Sequence, residues 1–350
     1  MRGSWLIASL LAVGLFASAT ATAAPPNTRP VEGLREHLLG VHALVGGRVI
    51  VSPTKTLEKA TIVVRDGVIT AVGPDVAVPA DAQVWDVTGK TIYPGFIDAY
   101  AEQSLPDDIG SSAPYWNSLI TPQAAVVDHL KVDGGNLERL RAQGITAELI
   151  APAGGIWRGA SVLVATGDQG VERNVLSPRV AQHLRLTVPR GGRRSGFPGS
   201  PMGAVALARQ SMFDAAWYES AWQAHRTQAS VAAPERNDAL EALHAVVEQR
   251  QLVIAESSDE QFALRADQFA KEFNLRLAIH GSGHEYRQVD AIRALDRTFI
   301  LPLDFPRPPH VGTAESAANV AIEDLLHWDY APENPCLLYT SDAADEGLGV

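Results

Sequence analysis

Cysteine is almost absent from this chain. Cys336 is the one cysteine in 350 residues, so residues 1–335 can form neither a disulfide nor a thiolate metal site. No apolar run reaches the roughly 20 residues that a stable membrane-spanning helix needs. No GxGxxG opens a helix after a strand, which leaves a dinucleotide-binding fold without support. Gly154-Gly155 is not followed by Lys-Ser or Lys-Thr, so there is no P-loop either. Basic residues are also scarce. With 29 Lys and Arg against 40 Asp and Glu, the formal charge is -11, which argues against nucleic acid as a partner. What remains is 46% hydrophobic and 20% charged, the balance of a globular chain with room for one large domain or two ordinary ones.

The two ends stand apart. Residues 1–23 read as a signal peptide: Arg2 gives the positive start, residues 5–17 the apolar run, and Ala21-Thr22-Ala23 a small-residue cleavage pattern before Pro25-Pro26. Cleavage there implies a soluble periplasmic or secreted protein. Residues 336–346, CLLYTSDAADE, resemble a frame translation of a transposase-type sequencing adapter. We therefore read residues 336–350 as a non-native tail and expect the natural sequence to be cut short at about Pro335.

Between the ends the pattern changes once. Residues 43–51, 61–65, 68–72 and 83–87 are short Val- and Ile-rich runs separated by turn residues. Asp66-Gly67 between two of them is a strong hairpin signal. Residues 24–90 thus predict a small antiparallel β unit. From residue 91 onward apolar strands alternate with helices. Strands are expected at 145–151, 161–165, 184–188, 252–255, 275–279 and 299–303. Helices are expected at 121–129, 137–142, 202–226, 237–249, 259–273 and 286–295. Apolar strand, polar residue, helix, repeated, is the signature of a parallel β/α structure covered on both faces. A barrel and an open sheet both fit.

The residues that carry chemistry stand at strand ends. In residues 91–102, TIYPGFIDAYAE, an apolar strand runs into Asp98, Tyr100 and Glu102, which alternate onto one face. Glu256 closes the run at 252–255, His280 the run at 275–279, and Asp304 follows 299–303. His284, Asp98 and Asp304 are secondary candidates. The cluster from Arg190 to Arg194 in a Gly- and Pro-rich loop is a candidate for contacting an anionic substrate, with a solvated loop as the plainer alternative. Trp217, Tyr218 and Trp222 at helical spacing are expected in the core.

The order of a small β unit, then PGFID at the first strand, then β/α repeats resembles the amidohydrolase superfamily, and within it the imidazolonepropionase-like members. GVITAVG at 67–73 together with YPGFID at 93–98 carries the resemblance most sharply, and it extends over residues 43–309. It implies an α/β fold: a (β/α)8 TIM-like barrel, here incomplete over residues 91–335, with a small N-terminal β-sandwich (composite) domain. It also implies metal-dependent hydrolysis of C–N bonds in cyclic amide-type substrates, since a divalent metal brings the pKa of bound water from 15.7 to about 7. Where the family has His-x-His, this chain has Tyr100-Ala101-Glu102. Glu256 stands in the place of the fifth-strand histidine, while His280 matches the next one.

The expected site is therefore a degenerate one. Glu102, Glu256 and His280 would hold one divalent metal, zinc by preference, and Glu102 and Glu256 would handle protons. The first reading is an exported hydrolase of a small-molecule substrate. The alternative is a catalytically lapsed barrel that binds a ligand or partner.

Overall fold

A computed structural model describes residues 40–131, 133–167, 171–188, 196–228 and 230–343. The signal peptide, the lead-in as far as residue 39, the cluster from Arg190 to Arg194 and the end of the tail lie outside the described residues. The chain forms two compact units that part between Pro94 and Gly95.

The first unit is one five-stranded sheet. It is built from β1 (Val41–Ser52), β2 (Lys55–Arg65), β3 (Val68–Gly73), β4 (Gln83–Asp86) and β5 (Thr91–Ile92), in the order β3-β2-β1-β4 with β5 also on β1. The hairpin expected at Asp66-Gly67 joins β2 to β3. Both residues take positive φ, 50° and 79°, the requirement of a tight two-residue turn. The sheet is mixed where the sequence suggested an antiparallel unit, because β4 and β5 run parallel to β1. Among the described residues it is a single sheet, without the second layer of a sandwich.

The second unit has two sheets. β6 (Phe96–Ser104) pairs parallel with β7 (Ile145–Ala153) after α1 (Gly134–Ala142). β8 (Trp157–Ala160) runs antiparallel on the edge of the other sheet, while β9 (Val162–Ala165) pairs antiparallel with β7. After α2 (Val171–Asn174), β10 (Val175–Ser177) completes the first sheet as β10-β9-β7-β6. β11 (Ala181–Arg185), β12 (Leu252–Glu256), β13 (Leu277–His280) and β14 (Thr298–Ile300) lie parallel, giving β14-β13-β12-β11-β8. The parallel strands are thus shared between two sheets that keep separate ladders.

Helices α3 (Pro201–Thr227), α4 (Asp238–Val247) and α5 (Glu260–Phe273) bury apolar faces around the second sheet. Each starts where a short polar side chain caps it: Ser200 accepts from Gly203 N, Asn237 from Leu240 N and Asp259 from Phe262 N. In α5 the buried positions Ala263, Ala266, Phe269 and Ala270 follow helical spacing, and Asn274 in the left-handed region ends it. Leu184, Leu207, Leu243, Trp157 and Ile279 fill the core between these layers. After β13, α6 (Val289–Arg293) leads to β14. α7 (Ala314–Asn319), α8 (Ile322–Tyr330) and α9 (Asn334–Ala343) follow. Among the described residues no helix is long and apolar enough to cross a membrane.

Some expectations shift. Residues 121–129 hold only a short 3-10 turn at Val126–His129, and the helix expected at 286–295 shortens to α6. Between the strands expected at 145–151 and 161–165 lies the further short strand β8. Tyr218 is buried as expected, but Trp217 is 63% exposed, because it lies one helical step off the buried stripe of α3.

Candidate functional site

Register brings the candidate residues together. Across the parallel strands Arg185 is level with Glu256, Glu256 with His280, and His280 with Ile300, so one row of side chains forms at the strands' C-terminal ends. That is the end where β/α proteins place their functional groups. Tyr100 belongs to the same constellation: its ring stacks on His280 with centroids 3.7 Å apart and planes 13° apart. Its backbone N–H donates to Asp98 at 3.1 Å, close to the point where the β6–β7 ladder slips register.

The centre of the site is a residue the sequence reading did not single out. Arg158, on β8, is 2% exposed. Its guanidinium donates to Glu102 through Nη2 and to Glu256 through Nη1. Nη1 also donates to the Tyr100 hydroxyl at 3.1 Å. Arg185, half-buried, holds the other oxygen of Glu256. The Tyr100 hydroxyl lies 3.4 Å from both Glu102 Oε1 and Glu256 Oε2, within reach of either.

The next residue fixes where Arg158 sits. Gly159 has φ of +108°, and a Cβ there would lie 2.4 Å from the Ala124 carbonyl oxygen. Only glycine allows β8 to approach this segment so closely. A signal for Arg158 was present in the sequence: one arginine inside the otherwise apolar and glycine-rich run from Gly154 to Ala165, where an unpaired charge would be costly. Arg185 offered less, because arginines at strand ends are ordinary.

The electrostatics follow from this geometry. Two arginines meet two glutamates, so the cluster balances its own charge. Burial works against the Arg158 charge, and the facing Tyr100, Glu256 and Glu102 outweigh it, holding the guanidinium above its usual range. For Glu102 burial acts upward, and the hydrogen bond and charge of Arg158, aided by Arg185 and Tyr100, bring its carboxyl below the ordinary range. Burial pushes the Tyr100 phenol well above its normal value, with Arg158 opposing. Burial lowers His280 to about 4 and His183 to about 3, with the nearby Arg158 charge adding to both. At neutral pH both imidazoles are therefore uncharged. His183 packs beside Tyr100, with ring centroids 5.7 Å apart; it is 1% exposed and neither ring nitrogen has a partner among the described residues.

The expectation of a divalent metal, zinc, held by Glu102, Glu256 and His280 is corrected here. Among the described residues no group of three or more His, Cys, Asp or Glu is arranged to hold a metal ion. The physical reason is Arg158. Its guanidinium takes one oxygen of each carboxylate and sets its own charge where a metal would sit. A unit charge about 4 Å away repels another by about 4 kcal/mol at an effective dielectric near 20, and a dication by about twice that.

A cavity of about 1170 Å³ opens beside this cluster, walled by β6 from Phe96 to Glu102 and by the segment from Phe299 to Asp304. Asp98, Tyr100, Glu102, Glu256, His280 and Asp304 all line it. All four of these acids and His280 were candidates from sequence alone, together with Tyr100's place on the shared strand face. His284 is elsewhere, stacked on His327 at 3.9 Å.

Comparison with known proteins agrees at the level of fold. No family model matches the chain. An imidazolonepropionase of Deinococcus radiodurans is 32% identical over 100 residues, 28% of this chain and 24% of that protein. A dihydroorotase of Mycobacterium tuberculosis is 41% identical over 49 residues, 14% of this chain and 11% of the relative. The chain thus spans about a quarter or less of the length of the curated relatives it matches. Among solved structures, an amidohydrolase from Thermotoga maritima MSB8 superposes with a TM-score of 0.62 at 16% identity, covering 83% of this chain and 76% of that one. That likeness shows an amidohydrolase-type α/β arrangement with an N-terminal sheet.

Proposed function

We propose that this protein is a lapsed member of the amidohydrolase fold that binds a small molecule at its strand mouth without a metal. The observation that carries the reading is Arg158, buried between Glu102 and Glu256 where a hydrolytic metal site would need free ligands. The remaining groups are poorly suited to proton transfer at neutral pH. The Tyr100 phenol stays protonated, Glu102 is held as a weak base by Arg158, and His280 at about 4 is weaker still as a base. The cavity supplies the volume and the mixed apolar and polar lining of a small-molecule site. We place its action in the periplasm or outside the cell, on the strength of residues 1–23. Residues 91–335 are taken as the barrel part and 336–350 as foreign to it.

The test is metal content by mass spectrometry on protein purified without chelator, together with hydrolysis of a panel of cyclic amides. Below about a tenth of an equivalent of metal, with no turnover, is the expected result. One equivalent of tightly held zinc, or turnover abolished by chelation, would overturn the reading.

A further inference from the structure

Every ionised side chain lining the strand-mouth cavity is a carboxylate: Asp98, Glu102, Glu256 and Asp304. No Lys or Arg lines it among the described residues; Arg158 and Arg185 sit behind the carboxylates and are used up on them. Two acids retain unused capacity. Glu102 accepts its hydrogen bonds through Oε1 alone, and its side chain is 41% exposed. Asp304, on the opposite wall, is exposed and makes no hydrogen bond or ion pair among the described residues. Both carboxylates act electrostatically on His280, which lines the same cavity.

A second, independent observation is an unpartnered nitrogen on the cavity lining: the buried Nδ1 of His280 has no hydrogen-bond partner among the described residues. Its ring stacks on Tyr100. Buried polar atoms left without partners are rare, and such a nitrogen calls for a hydrogen-bonding occupant. Neutral at pH 7, the imidazole brings no opposing charge. The walls beside it are apolar: Phe96, Ile97, Phe299, Leu301 and Leu303.

We propose that the cavity between Glu102 and Asp304 takes an organic cation, a primary ammonium or amidinium carried on an apolar or aromatic body. Carboxylates on two walls would pair with the charged head, His280 on the lining would take one of its remaining N–H groups, and the apolar walls would cover its body. This rests on the proposed ligand-binding function and names the class of ligand.

The experiment uses three probes of one shape and different charge: benzylammonium, benzyl alcohol and benzoate. Binding to the full chain is followed by calorimetry at pH 7, with and without EDTA. Benzylammonium is expected to bind at least tenfold more tightly than the other two. Asp304→Asn, outside the Arg158 cluster and exposed, is expected to weaken benzylammonium at least tenfold and to leave benzyl alcohol within about threefold. Benzoate binding as well as benzylammonium, an Asp304→Asn variant with unchanged preference, or no binding of any probe by folded protein would each overturn the proposal. Loss of binding in EDTA would instead overturn the metal-free reading on which it rests, so the two failures are told apart.

Discussion

Replacing Arg158 by methionine keeps most of the side-chain volume and removes the charge. Breaking a buried ion pair by deleting one partner costs about 3–5 kcal/mol, because the other charge is left without compensation. Here two carboxylates are affected unequally. The Glu256 side chain is 12% exposed and keeps Arg185, while Glu102 is 41% exposed and can turn to water. Exposure discounts the Glu102 arm and Arg185 cushions the Glu256 arm, so a loss of about 3 kcal/mol, the low end of the range, is expected.

The loss has a pH signature. Arg158 holds the folded-state pKa of Glu102 below its ordinary value. A depressed carboxyl contributes stability above its unfolded pKa, near 4.3, and that contribution fades as the pH falls through the folded value. In Arg158→Met the largest downward influence on Glu102 is gone, leaving only Arg185 and Tyr100 against burial. The gap between wild type and variant should therefore be full above about pH 4.3 and narrow as the pH falls below it through the folded value. Urea denaturation from pH 3 to 8 measures it. Adding Glu256→Gln to the variant restores one arginine to one carboxylate and should recover part of the loss. A gap under about 1 kcal/mol, or one that is the same at pH 3 and pH 8, would refute the assignment of Arg158 as the charge that holds this site together.

Gly159→Ala should disrupt β8 and cost about 2–4 kcal/mol, since the new Cβ meets the Ala124 carbonyl at 2.4 Å; thermal denaturation will show whether it does. His183, held neutral with a pKa of about 3, contributes stability above its unfolded value near 6.5 that is lost as the pH falls from there towards 3. His183→Leu should flatten the pH dependence of stability between pH 6.5 and 4, and an unchanged slope would count against it. Asn334→Ala should cost about 1–3 kcal/mol by removing a donor from the fully buried Glu285, which otherwise relies on Ser282. β6 and β14 end their sheets, and Phe96, Ile97 and Leu303 beside them are more than 60% exposed. We therefore expect concentration-dependent association by light scattering, reduced in Phe96→Lys.

The β/α layout was legible because its signals are local. Asp66-Gly67 marked the hairpin, Asp259 the start of α5, and the apolar runs before Glu256 and His280 marked two neighbouring strands whose parallel register then made those residues level. The cavity residues were legible for the same reason, as polar ends of apolar strands. What the sequence could not deliver was the partnership. Arg158 is 56 residues from Glu102 and 98 from Glu256, and its strand is only four residues long, inside a stretch whose glycines read as loop. A short antiparallel strand has too few residues for an alternation to appear, and its pairing with β11 is a tertiary fact. The expectation of a metal failed at that point: the cation between the two carboxylates was not foreseen.

An arginine in this position reproduces one property of a metal ion and lacks another. It supplies positive charge between two carboxylates and fixes their geometry through directed N–H donors. It has no open coordination position and no means of lowering the pKa of a bound water, which is the step from which hydrolysis in a metal site proceeds. Because its guanidinium is held above its already high ordinary range, it does not exchange protons near neutrality either. In the proposed reading the strand mouth keeps a concave site in which an inert cation stands between the two carboxylates. With Arg158 and Arg185 engaged on Glu102 and Glu256, the charged side chains left on the cavity wall are carboxylates, and Asp304 makes no ion pair among the described residues. The proposed preference for a cation would then follow from the same arginine that stands in the way of a metal.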